Sequence, residues 1–325
     1  MHIRRFSVLD PTTLFSYERD VDSRSLHAST LVVTLGSFVD SGRVQEKLDE
    51  FITDNYPNRI VGTFDSDQVI DYTAVRPPIS LEQDHLTGYS SPALTLREVS
   101  PEGEAPFLLL SGPEPNFQWE RVAHAVRIIV EQLGVTRTLV ATSFPGATPH
   151  TRPVAVSRYA GDPKDLVLAS PFPGTIEMRA SFPALLIVRM AEAGHPIIGL
   201  AAHVPSYAHE IEYYPALPAL FTALDIEGGP AFTPNKKLEE KIAEVREALD
   251  QSAAENEQLA SLIKGFEDNY SRMDGMVQHL TPGADTPLPG AENLTTEVED
   301  FLKEILDEPE NTDEEGEDPG PDSIG

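Results

Sequence analysis

The stretch "TLVVTLGSFVDSG", Thr30 to Gly42, decides how this chain is read. Its first six residues are β-branched or Leu, the composition of a strand buried on both faces. Gly36, Ser37, Asp40, Ser41 and Gly42 then turn the chain. The next residues, "SGRVQEKLDEFITDN", set Val44, Leu48 and Phe51 or Ile52 on one helical face. Strand, glycine-bearing loop and helix is the order in which many α/β proteins hold a phosphate. A Walker loop, however, needs Lys-Ser/Thr after its second Gly, and here Arg43-Val44 follows Gly42. The dinucleotide fingerprint GxGxxG is also missing, since "GSFVDSG" keeps only its end glycines. The loop is therefore expected to be a structural turn, with Asp40 or Ser41 capping the following helix.

Working outward, strand and helix patterns alternate. "RIVGTF" and "QVIDYTAV" read as a strand pair across "DSD", and "PALTLREVS" with "APFLLLSGP" as another across "PEGE". Phe117 to Leu133 reads as a helix with Val122, Val126, Ile129 and Leu133 on one face, closed by Gly134. Further strands are expected in "TRTLVATSFPG", "RPVAVSRYA", "DLVLAS" and "HPIIGLAAHVP". Helices are expected in "ASFPALLIVRMAEAG" and "PALPALFTALDIEGG". Such alternation predicts an α/β domain, residues 1–229, with a mostly parallel central sheet covered on both faces.

Beyond it the pattern changes. In a helical region at 230–280, Leu238, Ile242, Val245 and Leu249, then Ser252, Asn256, Leu259, Ile263, Phe266 and Tyr270, recur at steps of three and four. As heptads this is one coiled-coil seam. Ser252-Ala-Ala-Glu255, however, is a capping box, which fits a hairpin of two helices breaking near Asp250–Ser252. The hairpin is the expectation. Either way the apolar stripe needs cover, from the α/β body or from a neighbouring subunit. Residues 281–325 are expected to be an acidic, mostly disordered tail. Within it "TTEVEDFLKEIL" forms a short amphipathic helix near 296–306, able to dock on its own body or on a partner.

Composition narrows the function classes. The 325 residues carry 24 basic and 53 acidic side chains, a formal charge of −29, so nucleic acid is not an expected partner. With no Cys, disulfides and thiolate metal sites are excluded, and a cytoplasmic location is expected. No apolar run is long enough to span a membrane, and the N-terminus lacks a signal-peptide core. There is no G-x-S-x-G elbow and no H-E-x-x-H helix. His203 and His209 flank a proline, which argues for the polar end of a strand over a metal pair. Neither a metal nor a cofactor is expected. Arg152, in "PHTRP" with His150, sits on a proline-stiffened loop after a strand, where α/β proteins place ligands. Its expected counter-charge is a carboxylate, either from a ligand or, as the structural reading has it, from Asp40. In "SGPEPNFQW", which also follows a strand, Asn116 reads as a helix N-cap beside Glu114.

Four stretches in order, "GSFVDSG", "LLLSGPEPNFQW", "PGATPHTRPVAV" and "GLAAHVPSY" followed by "YYPALPALFTAL", resemble the PAC2 family, named after proteasome assembly chaperone 2, and most of all its actinobacterial branch. The resemblance spans roughly Leu31 to Tyr270. It implies a three-layer α/β/α phosphorylase/hydrolase-like fold, self-association (a trimer being one arrangement it allows) and binding to proteasome subunits or another protein. It implies no known reaction. Ser37 stands where relatives often have Trp, and Ser206 where they often have His. The chain ends Asp-Ser-Ile-Gly, so the hydrophobic-Tyr-any-residue tail of some proteasome-binding relatives does not carry over.

The functional expectation is a non-enzymatic, homo-oligomeric protein-binding module. Its ligand or interface candidates are Gly36, Asp40, Gly42, Glu114, Asn116, His150, Arg152, His203 and Tyr207. Its helical interface is Leu238, Ile242, Val245, Leu249, Leu259, Ile263 and Phe266. The alternative is a small-ligand binder or enzyme, with a site at the strand C-terminal ends near Asp40 and Arg152.

Overall fold

The computed structural model describes residues 10–36, 40–167 and 177–279, with side chains to residue 271. The first half of the chain gives β1 (Phe15–Tyr17), β2 (Thr30–Leu35), α1 (Val44–Asn55) and β3 (Asn58–Phe64). Two helical turns follow, α2 (Ser66–Val69) and α3 (Tyr72–Val75), then a hairpin of β4 (Ser80–Glu82) and β5 (His85–Thr87). Next come β6 (Thr95–Val99), β7 (Phe107–Gly112), α4 (Trp119–Leu133), β8 (Arg137–Gly146) and β9 (Val156–Ala160). The chain continues through α5 (Phe182–Glu192), β10 (Ile197–Pro205), α6 (Leu217–Ile226), α7 (Lys236–Glu255) and α8 (Glu257–His279).

Eight strands form one sheet in the order β1-β3-β6-β7-β2-β8-β10-β9. Its centre, β7-β2-β8-β10, is parallel. The flanking pairs are antiparallel, and for β6 and β7 the short connection between them allows only a hairpin. The alternation of β2 divides the core. Leu31, Val33 and Leu35 join α4 and α5 on one face, while Val32 joins α1, α6 and α7 on the other. Every residue of β2 is buried, the mark of a central parallel strand between two helical layers. Each fully buried Leu or Val contributes roughly 1.5–3 kcal/mol of transfer free energy. Cores on both faces therefore fix the register of the sheet.

Three expectations change. "QVIDYTAV" is not a strand but the turns α2 and α3, because Asp65 and Asp71 accept hydrogen bonds from the N–H groups of Asp67 and Thr73 and cap them. The described part of "DLVLAS" is a 3-10 turn at Pro163–Asp165 followed by coil, and residues 168–170 lie outside the described residues. The C-terminal helices do break, but at Asn256 rather than near Asp250–Ser252. Asn256 Oδ1 accepts from the N–H groups of Gln258 (2.9 Å) and Leu259 (3.2 Å) and so caps α8. Ser252 instead donates back to the Ala248 carbonyl inside α7. The expected tail and its helix near 296–306 lie outside the described residues.

All described residues except Glu177 and Met178 belong to one compact unit, α7 and α8 included. Those two exposed residues belong to a second unit that otherwise lies outside the described residues. Among the described residues, no helix is long and apolar enough to cross a membrane.

Candidate functional site

The four parallel strands end on one rim, and most of the candidate residues lie along it. The turn after β2 comes first. Asp40 is largely buried, and its Oδ1 accepts from the Gln45 N–H (2.9 Å) and the Ser143 hydroxyl (3.2 Å), its Oδ2 from the Glu46 N–H (3.3 Å). The carboxylate thus occupies the N-terminus of α1, where a phosphate would otherwise bind. Burial pushes its pKa up, against the lowering effect of those hydrogen bonds. Gly36 donates to the Gly112 carbonyl at 2.8 Å and ties β2 to the end of β7.

Gly42 is fixed more tightly. Its φ is +69°, and a Cβ there would lie 2.6 Å from Tyr213 Cβ, so only glycine fits. Its N–H donates to the His209 carbonyl and its own carbonyl accepts from the Tyr213 N–H, clamping the turn to the loop after β10. Charges reinforce the clamp. Glu212 of that loop lies 2.8 Å from the Lys47 ammonium and 3.1 Å from the Arg43 guanidinium.

After β7, Glu114 Oε1 accepts from the Phe182 N–H at 2.5 Å, placing a carboxylate on the first turn of α5. Asn116 is not the N-cap of α4. That position is Gln118, in a left-handed conformation, and Asn116 Oδ1 instead accepts from the Asp71 N–H at 2.8 Å. The residue that reads as a cap therefore fastens the α2–α3 turns to the β7–α4 loop.

The densest cluster joins the ends of β8 and β10 to the C-terminal helices. His150 is buried, with Nδ1 at 2.7 Å from the Tyr207 hydroxyl and Nε2 at 3.1 Å from Asp250 Oδ1 on α7. The His150 backbone N–H also donates to the Tyr207 oxygen, at 2.8 Å. Burial raises the Tyr207 pKa to about 12, so its hydroxyl keeps its proton. On the other side Tyr207 stacks on Phe266 of α8, ring centres 6.1 Å apart, and the Thr151 hydroxyl donates to Glu267 at 2.5 Å. The result is a latch that holds α7 and α8 to the strand ends.

His203 stands apart from it, on the opposite face of the sheet. It is half-buried against Phe144 and within 2.8 Å of the Ser157 hydroxyl, and desolvation lowers its pKa to about 4. His209 instead bonds the Ser206 carbonyl, so the two histidines share nothing. Among the described residues, no group of His, Cys, Asp and Glu is arranged to hold a metal ion.

Two further expectations are corrected. Arg152 does not pair with Asp40, whose oxygens are taken by two N–H groups and Ser143. Its side chain is exposed and makes no ion pair among the described residues. The helical stripe is not an open intersubunit seam either. Leu238 and Leu249 are buried in the core under α6, Ile242 and Val245 pack on it, and Ile263 and Phe266 are buried while Leu259 is half-buried. The chain's own body covers most of that stripe. Sequence reasoning missed Ser143, Asp250 and Glu267, since no local pattern links them to partners 100 or more residues away.

Comparison with known proteins follows the same outline. The model of the PAC2 family matches residues 34–253. A Mycobacterium tuberculosis protein of unknown function is 28% identical with a TM-score of 0.75, over 85% of this chain and 94% of its own. A Corynebacterium glutamicum protein of unknown function is 25% identical with a TM-score of 0.74, over 83% and 100%. A proteasome-assembly chaperone homologue of M. tuberculosis shares the fold at 21% identity and a TM-score of 0.65, over 72% and 99%. No curated protein matches.

Proposed function

The chain belongs to the PAC2 family, and from that premise we propose that it is a non-enzymatic, homo-oligomeric protein-binding module that acts in proteasome assembly or regulation. One observation carries the reading. The side chains that a strand-end active site would use are engaged in holding the molecule together: Asp40 on α1, Glu114 on α5, and His150 between Tyr207 and Asp250. A nucleophile or base needs a free lone pair beside a space for substrate, and these atoms have partners within the fold. What such a rim presents is a stiff surface, which suits recognition of another protein. The family name, and the description of one fold relative as a proteasome-assembly chaperone homologue, support proteasome subunits as the partner.

Two measurements test the reading. The full chain is expected to sediment as an oligomer at micromolar concentration, and a clean monomer would count against self-association. Co-purification with proteasome α-subunits is expected from cells of the source organism. Repeated failure to recover them would remove the proteasome link and leave the binding module without an assigned partner.

A further inference from the structure

The sheet ends at β9, and there it stays open. β9 pairs with β10 on one side, and among the described residues no strand borders its other side. The His203 N–H donates to the Ala155 carbonyl, so along the antiparallel pair Ala155, Ser157 and Tyr159 turn their backbone groups to β10. The N–H and C=O groups of Val156, Arg158 and Ala160 therefore face outward, without a hydrogen-bond partner among the described residues. The opposite edge is blunted by its length, since β1 has only three residues. β9 has five, with neither proline nor lysine among them. An edge of that kind is a template for one more strand.

Beside this edge lies a groove of about 450 Å³, between β9, α6 and α7. Val154, Val156, Pro215 and Ile242 form its apolar walls. Of its two arginines, Arg158 is paired with the buried Glu227, at 3.5 Å. Arg246 is exposed on α7 and has no hydrogen bond or ion pair among the described residues. In a chain with 53 acidic side chains, a cation on an apolar groove without a carboxylate stands out. Edge and groove also share residues. Val156 turns its backbone outward and its side chain into the groove, whereas Ser157 and Tyr159 point to the other face by strand alternation. There Tyr159 covers Gly199 and is still 38% exposed.

We propose that an extended segment of a partner protein adds to the sheet alongside β9, with an apolar side chain in the groove and a carboxylate on Arg246. Backbone pairing with Val156, Arg158 and Ala160 supplies affinity that any sequence can share, and the alternate side chains supply the choice. On the helix side of the sheet those side chains meet Val154, Val156, Ile242 and Arg246. The intervening ones lie beside Tyr159. The segment therefore has β-branched or aromatic residues at alternate positions, because these suit an added strand. It also carries one Asp or Glu, because Arg246 has no counter-charge of its own. This inference rests on the protein-binding reading above, and it names the surface and the kind of segment that surface takes.

Random dodecapeptides displayed on phage and panned on the full chain provide the test. Peptides with alternating apolar residues and one acidic residue are expected to be enriched, and the strongest is synthesised as a fluorescent probe. Methylating its alternate amide nitrogens in one register should weaken binding by about tenfold or more, since each lost N–H breaks a ladder bond. Methylation in the other register should leave binding unchanged, because only one edge of an added strand faces β9. Arg246→Glu should weaken the probe by about tenfold, and a probe with Lys in place of its acid should regain binding to that variant. Arg246 is exposed and unengaged, so the variant keeps its fold, as circular dichroism and melting temperature confirm. Panning that enriches no peptide, methylation that acts alike in both registers, or a charge preference that does not reverse each overturns the inference. So does a wild-type dimer that Arg246→Glu splits and no probe displaces, which would make a second copy the occupant. If one of these failures comes while proteasome subunits still co-purify, the β9 site falls and the protein-binding reading stands. If neither peptides nor proteasome subunits are retained, both fall.

Discussion

His150 and His85 each lie beside an aspartate, and there the likeness ends. At the strand-end rim, His150 is buried and bonded through both ring nitrogens, to Tyr207 and Asp250. On the hairpin, His85 meets only the neighbouring Asp84, at 3.3 Å, with its side chain 61% exposed. The same contrast runs through the two regions. Rim residues such as Asp40, Gly42 and Glu114 hold separate loops together, whereas Leu81, Leu86 and Glu82 hold only their own hairpin. Position at the C-terminal ends of parallel strands favours ligand binding in α/β folds, but it does so through groups left free. Here the rim carboxylates and His150 are engaged, and large exposed apolar side chains lie on the β4–β5 hairpin. Substitutions at the rim should therefore be read as changes in stability of the whole fold, and substitutions on the hairpin as local changes.

The strongest challenge to that division is Gly42→Ala. The new methyl would meet Tyr213 Cβ at 2.6 Å and Val204 at 3.2 Å, at a φ of +69°. Left-handed backbone costs an L-residue about 1–2 kcal/mol, and overpacking about 1–3 kcal/mol. A loss of about 2–5 kcal/mol in urea unfolding is expected. Gly103→Ala is the control, since Gly103 has a φ of +80° but nothing within 4 Å of its missing Cβ. If the two variants unfold at the same midpoint, the clamp between the turn after β2 and the loop after β10 contributes nothing.

A smaller effect should appear as a dependence on pH. Burial holds the His203 pKa at about 4, below the ordinary value of about 6.5. The unfolded chain therefore takes up the proton first as pH falls. The contribution of neutral His203 is complete above about pH 6.5, declines on acidification, and levels off near pH 4. Across that window the loss is up to about 3 kcal/mol, since each pH unit is worth about 1.4 kcal/mol. Urea unfolding of wild type and His203→Phe at pH 7 and pH 5 isolates this part, because the other titrating groups cancel. Equal slopes for the two proteins would mean that His203 is as accessible to protons folded as unfolded.

Much of this rim was legible in the sequence, and its failures share a cause. Local signals held: six strand-forming residues at β2, Gly134 closing α4, and Asp40 preceding a helix. Local signals that compete were misread. Asp65 and Asp71 turn an apolar run into helical turns by side-chain bonds two residues on, which hydrophobic pattern does not register. Asn116 resembles a cap yet bonds 45 residues away. The hairpin gave no warning, because its turn is Gln83-Asp84, without the Asn-Gly or Asp-Gly that marks tight hairpins. The latch of His150 with Asp250 depends on how α7 lies against the sheet, and no spacing along the chain encodes that.

Arg152→Ala should have the smallest effect, and for that reason it gives the sharpest comparison. Its guanidinium is exposed, lacks an ion pair among the described residues, and sits on the loop that in a ligand-binding α/β protein would reach toward substrate. If the rim is purely structural, removing an unengaged surface charge changes stability by no more than about 0.5 kcal/mol. Neither wild type nor variant should then melt differently with inorganic phosphate, nucleosides or short peptides present. A ligand that binds the folded state at one hundred times its Kd would add about 2.7 kcal/mol and be plain in a thermal scan. A shift in wild type that Arg152→Ala abolishes would move the free chemistry back to the strand ends, and the division between a braced rim and an unengaged hairpin would fail where it matters most.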